Sequence, residues 1–103
     1  MAERFRLLLA DRGVLRLAGE DRVAFLQGLV SNDVAKATEA RAIYAAFLTP
    51  QGRFLHDFFL VGHAGALLFD CEGARRGDLL TRLKRFRLRA KVTLDDVTDD
   101  FAV

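Results

Sequence analysis

A turn followed by a long apolar strand, in residues 49–61, places the strongest constraint on the fold. Pro50 presets the φ angle that the second position of a type I turn needs, and Gly52 stands at the fourth position, where such turns favour glycine. The turn predicts a β-hairpin whose first strand covers residues 43–48. The second strand is apolar on both faces, which predicts a central strand covered on both sides by helices or another sheet.

Two titratable residues interrupt this second strand, one on each face. Asp57 shares a face with Phe59, and His56 shares the other face with Phe58. A buried carboxylate without a partner is costly, so proteins normally pair it or raise its pKa. Asp57 is therefore either satisfied near a rim by a backbone N–H or an arginine, or it faces a ligand pocket. His56 is expected to be packed or exposed at an edge.

The composition predicts a single domain over residues 1–103. Hydrophobic residues make up 51% of the chain, with nine Phe and one Pro, which excludes disorder and low complexity. Sixteen basic and fourteen acidic residues leave a formal charge of +2, so charge gives no reason to expect a nucleic-acid or membrane partner. No apolar run reaches the length that spans a bilayer.

The single cysteine, Cys71, bears on the compartment. One cysteine makes neither an internal disulfide nor, alone, a metal site, and the first residues show no secretion signal. These features predict a reducing, cytoplasmic location. Because Cys71 has acidic neighbours in sequence, Asp70 and Glu72, and no basic one, it is predicted to be an inert packed thiol.

The rest of the chain alternates strand and helix signals, which predict an α+β fold of two helices packed on a mostly antiparallel sheet, in the order β-α-β-β-β-α-β. The first helix carries apolar residues at helical spacing, and the second has a strongly basic carboxyl end. The basic end favours a solvated surface, neutralised by a following acidic run, over a nucleic-acid patch. The further predicted elements are strands at 14–19, 66–71 and 92–97, helices from 20 or 21 to 30 and at 74–87, and short strands at 7–9 and 101–103.

Three blocks of this sequence resemble the YgfZ-type folate-binding proteins, which are related to the T-protein of the glycine cleavage system, an aminomethyltransferase. The resemblance covers nearly the whole chain and implies the leading portion of a T-protein-like fold, in which several domains surround a central folate site. The blocks are Gly-Glu-Asp-Arg-Val-Ala-Phe-Leu-Gln-Gly-Leu-Val-Ser-Asn-Asp-Val at 19–34, Thr-Pro-Gln-Gly-Arg-Phe-Leu-His-Asp at 49–57 and Leu-Lys-Arg-Phe-Arg-Leu-Arg-Ala-Lys-Val at 83–92.

The resemblance implies two folate-binding residues. Asp57 matches the carboxylate that T-protein relatives place beside the reactive nitrogens of tetrahydrofolate, and Tyr44, the only tyrosine, matches an aromatic residue of that site. The residues alone leave open whether Tyr44 belongs to the core or to a pocket wall. Asn32 and Asp33 match a shared block but are interpreted as a helix cap and turn. T-proteins have paired aspartates where this chain has His56-Asp57, which favours the YgfZ branch over aminomethyl transfer.

The resemblance also implies a function in iron-sulfur cluster assembly or repair and, indirectly, in tRNA modification. The cysteine motif of the YgfZ branch is absent from this sequence, so the chain is not expected to be catalytic alone, and its folate site is expected to be incomplete. The implied partners are folate, iron-sulfur proteins, and either further domains or a second copy. The alternatives are a fragment of an aminomethyltransferase-type enzyme and a single-stranded RNA-binding module that uses Phe54 and Phe58 as an aromatic platform.

Overall fold

Five strands and two α-helices form the part of the chain that the computed structural model describes, residues 11–101. All five strands join one sheet in the order β2-β3-β4-β1-β5, and every neighbouring pair is antiparallel. The predicted α+β fold, two helices on an antiparallel sheet, is confirmed. The elements are β1 Arg12–Ala18, α1 Arg22–Gln27, β2 Ile43–Leu48, β3 Phe54–His63, β4 Ala66–Glu72, α2 Arg76–Arg85 and β5 Thr93–Asp96, with 3₁₀ turns at Val34–Lys36, Gly73–Arg75 and Thr98–Phe101.

The predicted hairpin joins β2 to β3. The Gly52 N–H donates to the Thr49 carbonyl oxygen at 2.8 Å, and the Arg53 N–H donates to Thr49 Oγ1 at 3.0 Å. Gly52 has a φ of +83°, in the left-handed region that favours glycine. The resulting register places Tyr44 directly opposite Phe59.

The prediction that β3 is covered on both sides is wrong for the described residues. Both helices pack on one face of the sheet, where their buried leucines join a single core with the strands. Phe58 is 1% exposed on that face, whereas its neighbour Phe59 is 47% exposed on the other. An apolar period-two pattern shows that both faces can be buried, but it does not show which layer covers each. The core comprises Leu15, Leu17, Leu26, Val34, Ile43, Ala45, Phe47, Phe58, Leu60, Leu67, Phe69, Cys71, Leu79, Leu83, Val92 and Leu94.

Helix α1 ends earlier than predicted, at Gln27 instead of Val30. Gly28 is its C-cap, and a Cβ built there would have only the Phe25 carbonyl oxygen within 4 Å, at 3.8 Å. Gly28 therefore marks the end of the helix and serves no close backbone approach. The chain then turns to run beside β2, because the Ser31 N–H donates to the Ala46 carbonyl oxygen at 3.0 Å.

The helix predicted at 74–87 corresponds to α2, which covers Arg76–Arg85, follows a 3₁₀ turn and buries Leu79 and Leu83 fully. The predicted terminal strand at 101–103 is wrong at Phe101, which ends a 3₁₀ turn. Residues 102–103 and the predicted strand at 7–9 lie outside the described residues. Within residues 11–101, no helix combines the length and the apolarity needed to cross a membrane.

Candidate functional site

The two predicted site residues meet on the face of the sheet that the helices leave open, which we call the open face. The Tyr44 hydroxyl on β2 donates a hydrogen bond to Asp57 Oδ2 on β3 at 2.7 Å. Asp57 stands opposite Ala46 in the register, so Tyr44 reaches it diagonally across the hairpin. Both residues are exposed, and Tyr44 at 50% belongs to a surface patch and not to the core.

The electrostatics of the pair follow from this hydrogen bond. The pKa of Tyr44 is raised above 10.0, first because its hydroxyl donates to Asp57, then by desolvation and by the carboxylate charge. Among the described residues, no Lys or Arg forms a salt bridge with Asp57. The rim arginine considered from the sequence is therefore not found among residues 11–101. Within residues 11–101, one neutral donor, the Tyr44 hydroxyl, binds the Asp57 side chain.

Sequence reasoning missed a third residue of this patch, Phe59. Its ring packs edge-to-face on Tyr44 with the centroids 5.5 Å apart. The period-two alternation had placed Phe59 on the face of Asp57, but the aromatic platform was sought on the other face. Because Phe58 is buried, Phe54 and Phe58 do not form the exposed platform that RNA binding would need.

An ion pair borders the patch on β4. Asp70 stands opposite Phe59, and Arg12 Nε donates to Asp70 Oδ1 at 2.8 Å. A second Arg12 nitrogen donates to the Asp70 carbonyl oxygen at 2.9 Å. Asp70 is thus paired with a cation, whereas Asp57 has no such partner within residues 11–101.

His56 lies on the opposite face and takes no part in this patch. It is 4% exposed, and its Nε2 donates to Asp78 Oδ2 on α2 at 2.7 Å. Arg82 Nε donates to the same oxygen at 2.8 Å. Of the two positions expected for His56, packed or exposed at an edge, the structure shows the packed one, where the side chain links β3 to α2.

Asp78 makes this contact sensitive to acid. Its pKa lies below the ordinary 3.8 because Arg82 and then His56 donate hydrogen bonds to it. When folding lowers the pKa of a carboxyl group, its ionised form stabilises the fold in full at any pH above its pKa in the unfolded chain. This stabilisation is lost as the pH falls through its pKa in the folded chain. We expect urea unfolding to show Asp78→Asn less stable than wild type at about pH 5, with the difference narrowing only as the pH falls below 3.8 toward the lowered pKa of Asp78. Asp99→Asn, outside this contact, should follow the wild-type profile, and a difference for Asp78→Asn that persists in acid would contradict the assignment.

Three other residues singled out from the sequence have structural roles. Asp33 accepts from the Ala35 N–H at 3.1 Å and caps a 3₁₀ turn, while Asn32 Nδ2 donates to the Tyr44 carbonyl oxygen at 2.8 Å. Burial raises the pKa of Cys71 to about 11, so its thiol is inert at neutral pH, as predicted. In residues 11–101 no three His, Cys, Asp or Glu side chains cluster closely enough to hold a metal ion.

Comparison with known proteins supports the resemblance. No protein-family model matches the chain. The chain is 39% identical to the mitochondrial iron-sulfur cluster assembly factor IBA57 homologue of Mycosarcoma maydis, over 89% of this chain and 26% of that protein. It is 35% identical to human mitochondrial IBA57, over 84% of this chain and 28% of that protein. The chain thus spans about a quarter of these relatives.

A solved structure shares the fold. The glycine cleavage system aminomethyltransferase T of Bartonella henselae superposes with a TM-score of 0.78 at 14% identity, over 87% of this chain and 25% of that one. At this identity the similarity establishes the fold alone. The T-protein-like architecture predicted from the sequence blocks is confirmed.

The comparison also corrects the predicted location. The cytoplasmic prediction is wrong, because the matched relatives are mitochondrial proteins. A lone unpaired cysteine indicates only a compartment where thiols stay reduced, and it does not separate one such compartment from another. The resemblance to YgfZ-type folate-binding proteins is confirmed: the chain is homologous to about a quarter of the IBA57 proteins and shares the fold of a quarter of a glycine cleavage T-protein.

Proposed function

We propose that this chain supplies one wall of a reduced-folate site in an IBA57-type iron-sulfur cluster assembly protein. The observation that carries the proposal is the pair formed by Tyr44 and Asp57, 2.7 Å apart on the open face. This wall would lie in the leading portion of the longer protein's fold. The remainder of the site would come from the three quarters of the relatives' length that this chain does not match.

The chemistry of the pair fits a reduced pterin ring. The ring carries amino and N–H groups that donate hydrogen bonds, and Asp57 is an acceptor without a cationic partner among the described residues. The Tyr44 hydroxyl binds only Oδ2, so a ligand can approach Oδ1 without breaking that bond. The tyrosine ring adds an apolar surface beside the carboxylate. A bound tetrahydrofolate supplies reduced ring nitrogens that carry one-carbon units.

Aminomethyl transfer by this chain alone is disfavoured. The resemblance associates that reaction with paired aspartates, and the position before Asp57 is His56, which points into the core toward Asp78. Proton transfer at the folate would therefore rest on Asp57 without a second acidic group next to it. Within the longer protein, we propose that folate binding supports iron-sulfur cluster assembly, and that any effect on tRNA modification follows through iron-sulfur enzymes.

Replacing Asp57 with Asn tests the folate site. The change removes the charge but keeps the size, and hydrogen bonds to charged groups contribute about 1.5–3 kcal/mol, so we expect affinity for tetrahydrofolate to fall by roughly 10- to 100-fold. Affinity is measured by titrating tetrahydrofolate into the isotope-labelled chain without oxygen and following amide shifts. Asp70→Asn is the matched control, since Asp70 is already paired with Arg12. Equal losses in both variants, or no wild-type shifts near Asp57, would contradict the proposal.

A further inference from the structure

An exposed aromatic ring lies on the open face, outside the hydrophobic core. Phe59 is 47% exposed, although its immediate neighbours Phe58 and Leu60 are almost fully buried. Leaving nearly half of a phenylalanine ring in water forfeits much of the stabilisation that its burial would give. A ring held there is a candidate for contact with something outside the described residues.

The register places Phe59 at one corner of a small four-residue patch. It stands opposite Tyr44, and Asp57 precedes it by two positions, on the order of 7 Å along the strand. The fourth corner, opposite Asp57, is Ala46, whose methyl group is too small to cover the other three. A flat ligand hydrogen-bonded to Asp57 and lying along β3 would therefore rest on Phe59.

The edge-to-face contact also fixes the tyrosine. Tyr44 is held at its hydroxyl by Asp57 and at its ring by Phe59, with the centroids 5.5 Å apart. Two restraints of this kind reduce the freedom of an exposed side chain before a ligand arrives, which lowers the entropic cost of binding. Phe59 thus both contacts the ligand position and orders its neighbour.

The other exposed aromatic residue of β3 does not share these features. Phe54 is 57% exposed but stands at the start of the strand, opposite Leu48 and beside a register irregularity. Among the aromatic pairs of the described residues, none includes Phe54. It supplies a matched control for an exposed phenylalanine on the same strand.

We propose that Phe59 is the residue that holds the reduced pterin ring flat against the sheet beside Asp57. The inference rests on the proposed folate site and adds to it a side chain that binds the ring, as distinct from the glutamate tail. Aromatic contacts of this kind correspond to about a two- to tenfold change in affinity.

The experiment compares three probes by amide-shift titration without oxygen: tetrahydrofolate, 6-methyltetrahydropterin, which lacks the tail, and 4-aminobenzoylglutamate, which lacks the pterin. We expect Phe59→Leu to bind the first two about two- to tenfold more weakly and the third unchanged. Phe59→Tyr, which keeps the ring, should restore wild-type affinity, and Phe54→Leu should have no effect. Urea unfolding checks that each variant is folded.

The outcomes separate the two proposals. Wild-type binding that depends on Asp57 but is unaffected by Phe59→Leu would overturn the role of Phe59 and leave the folate site standing. A loss in Phe59→Leu that appears only with 4-aminobenzoylglutamate, or an equal loss in Phe54→Leu, would also overturn it. Absence of wild-type binding to all three probes would overturn both proposals.

Discussion

Gly19→Ala should destabilise the chain by roughly 3–5 kcal/mol, because it combines backbone strain with a clash that side-chain movement does not relieve. Gly19 has a φ of +118°, and a Cβ built there would clash with the Lys91 carbonyl oxygen and lie 2.8 Å from the Val92 Cα. These atoms are backbone, so the segment leading into β5 would have to move. The Lys91 N–H donates a hydrogen bond of 2.8 Å to Asp21 Oδ2, which links this segment to the start of α1. The movement would break this bond.

Gly52→Ala, measured in the same experiment, introduces backbone strain without a steric clash. Gly52 also has a positive φ, +83°, but nothing lies within 4 Å of a Cβ built there. Its replacement should cost only about 1–2 kcal/mol, the penalty of the left-handed region. Urea unfolding followed by circular dichroism measures both losses. Equal destabilisation by the two variants would mean that residues 91–92 can yield, contrary to the close approach seen at Gly19.

Phe58→Ala should cost about 3–5 kcal/mol, the range for a buried aromatic residue whose removal leaves a cavity. Phe58 is enclosed in the core, and its ring packs edge-to-face on Phe69 with the centroids 4.9 Å apart. A loss of this size is a large fraction of the total stability of a small domain. The expected result is a large fall in the urea midpoint with the slope of the transition unchanged.

Phe59→Ala is the matched control, since it removes the same side chain from the next position on the same strand. Because Phe59 faces outward, its loss should cost no more than about 1–1.5 kcal/mol, mainly the contact with Tyr44. The comparison tests which face of β3 is covered. A similar loss in both variants would restore the interpretation of a strand buried on two sides.

The hairpin and α2 could be predicted because their signals are local. Pro50 and Gly52 determine the turn within four residues, and Leu79 and Leu83 repeat at helical spacing. The path of the chain beyond Gly28, the C-cap of α1, could not be predicted in this way. It depends on Ser31, whose backbone N–H bonds to Ala46, fifteen residues further along the chain. A sequence pattern does not contain such a distant partner.

The candidate site could also be predicted only in part from the sequence. Residue type and resemblance identified Asp57 and Tyr44, and the structure joins them by a hydrogen bond. The roles of Phe59 and of the ion pair between Arg12 and Asp70 depend on strand order and register, since β1 and β4 are far apart in sequence. Only the folded sheet shows that Asp70 has a cationic partner and that Asp57 has none among the described residues.

The segment beside β2 has a consequence for aggregation. An unpaired strand edge invites a second chain to extend the sheet, which is the usual first step toward amyloid-like stacking. Here Val30 forms a β-bridge with Phe47, and Ser31 Oγ accepts a hydrogen bond from the Ala46 N–H. Asn32 Nδ2 donates a hydrogen bond to the Tyr44 carbonyl oxygen. A neighbouring molecule must displace this segment before it can add a strand to β2. The β2 edge is therefore protected against the addition of a strand from a second copy.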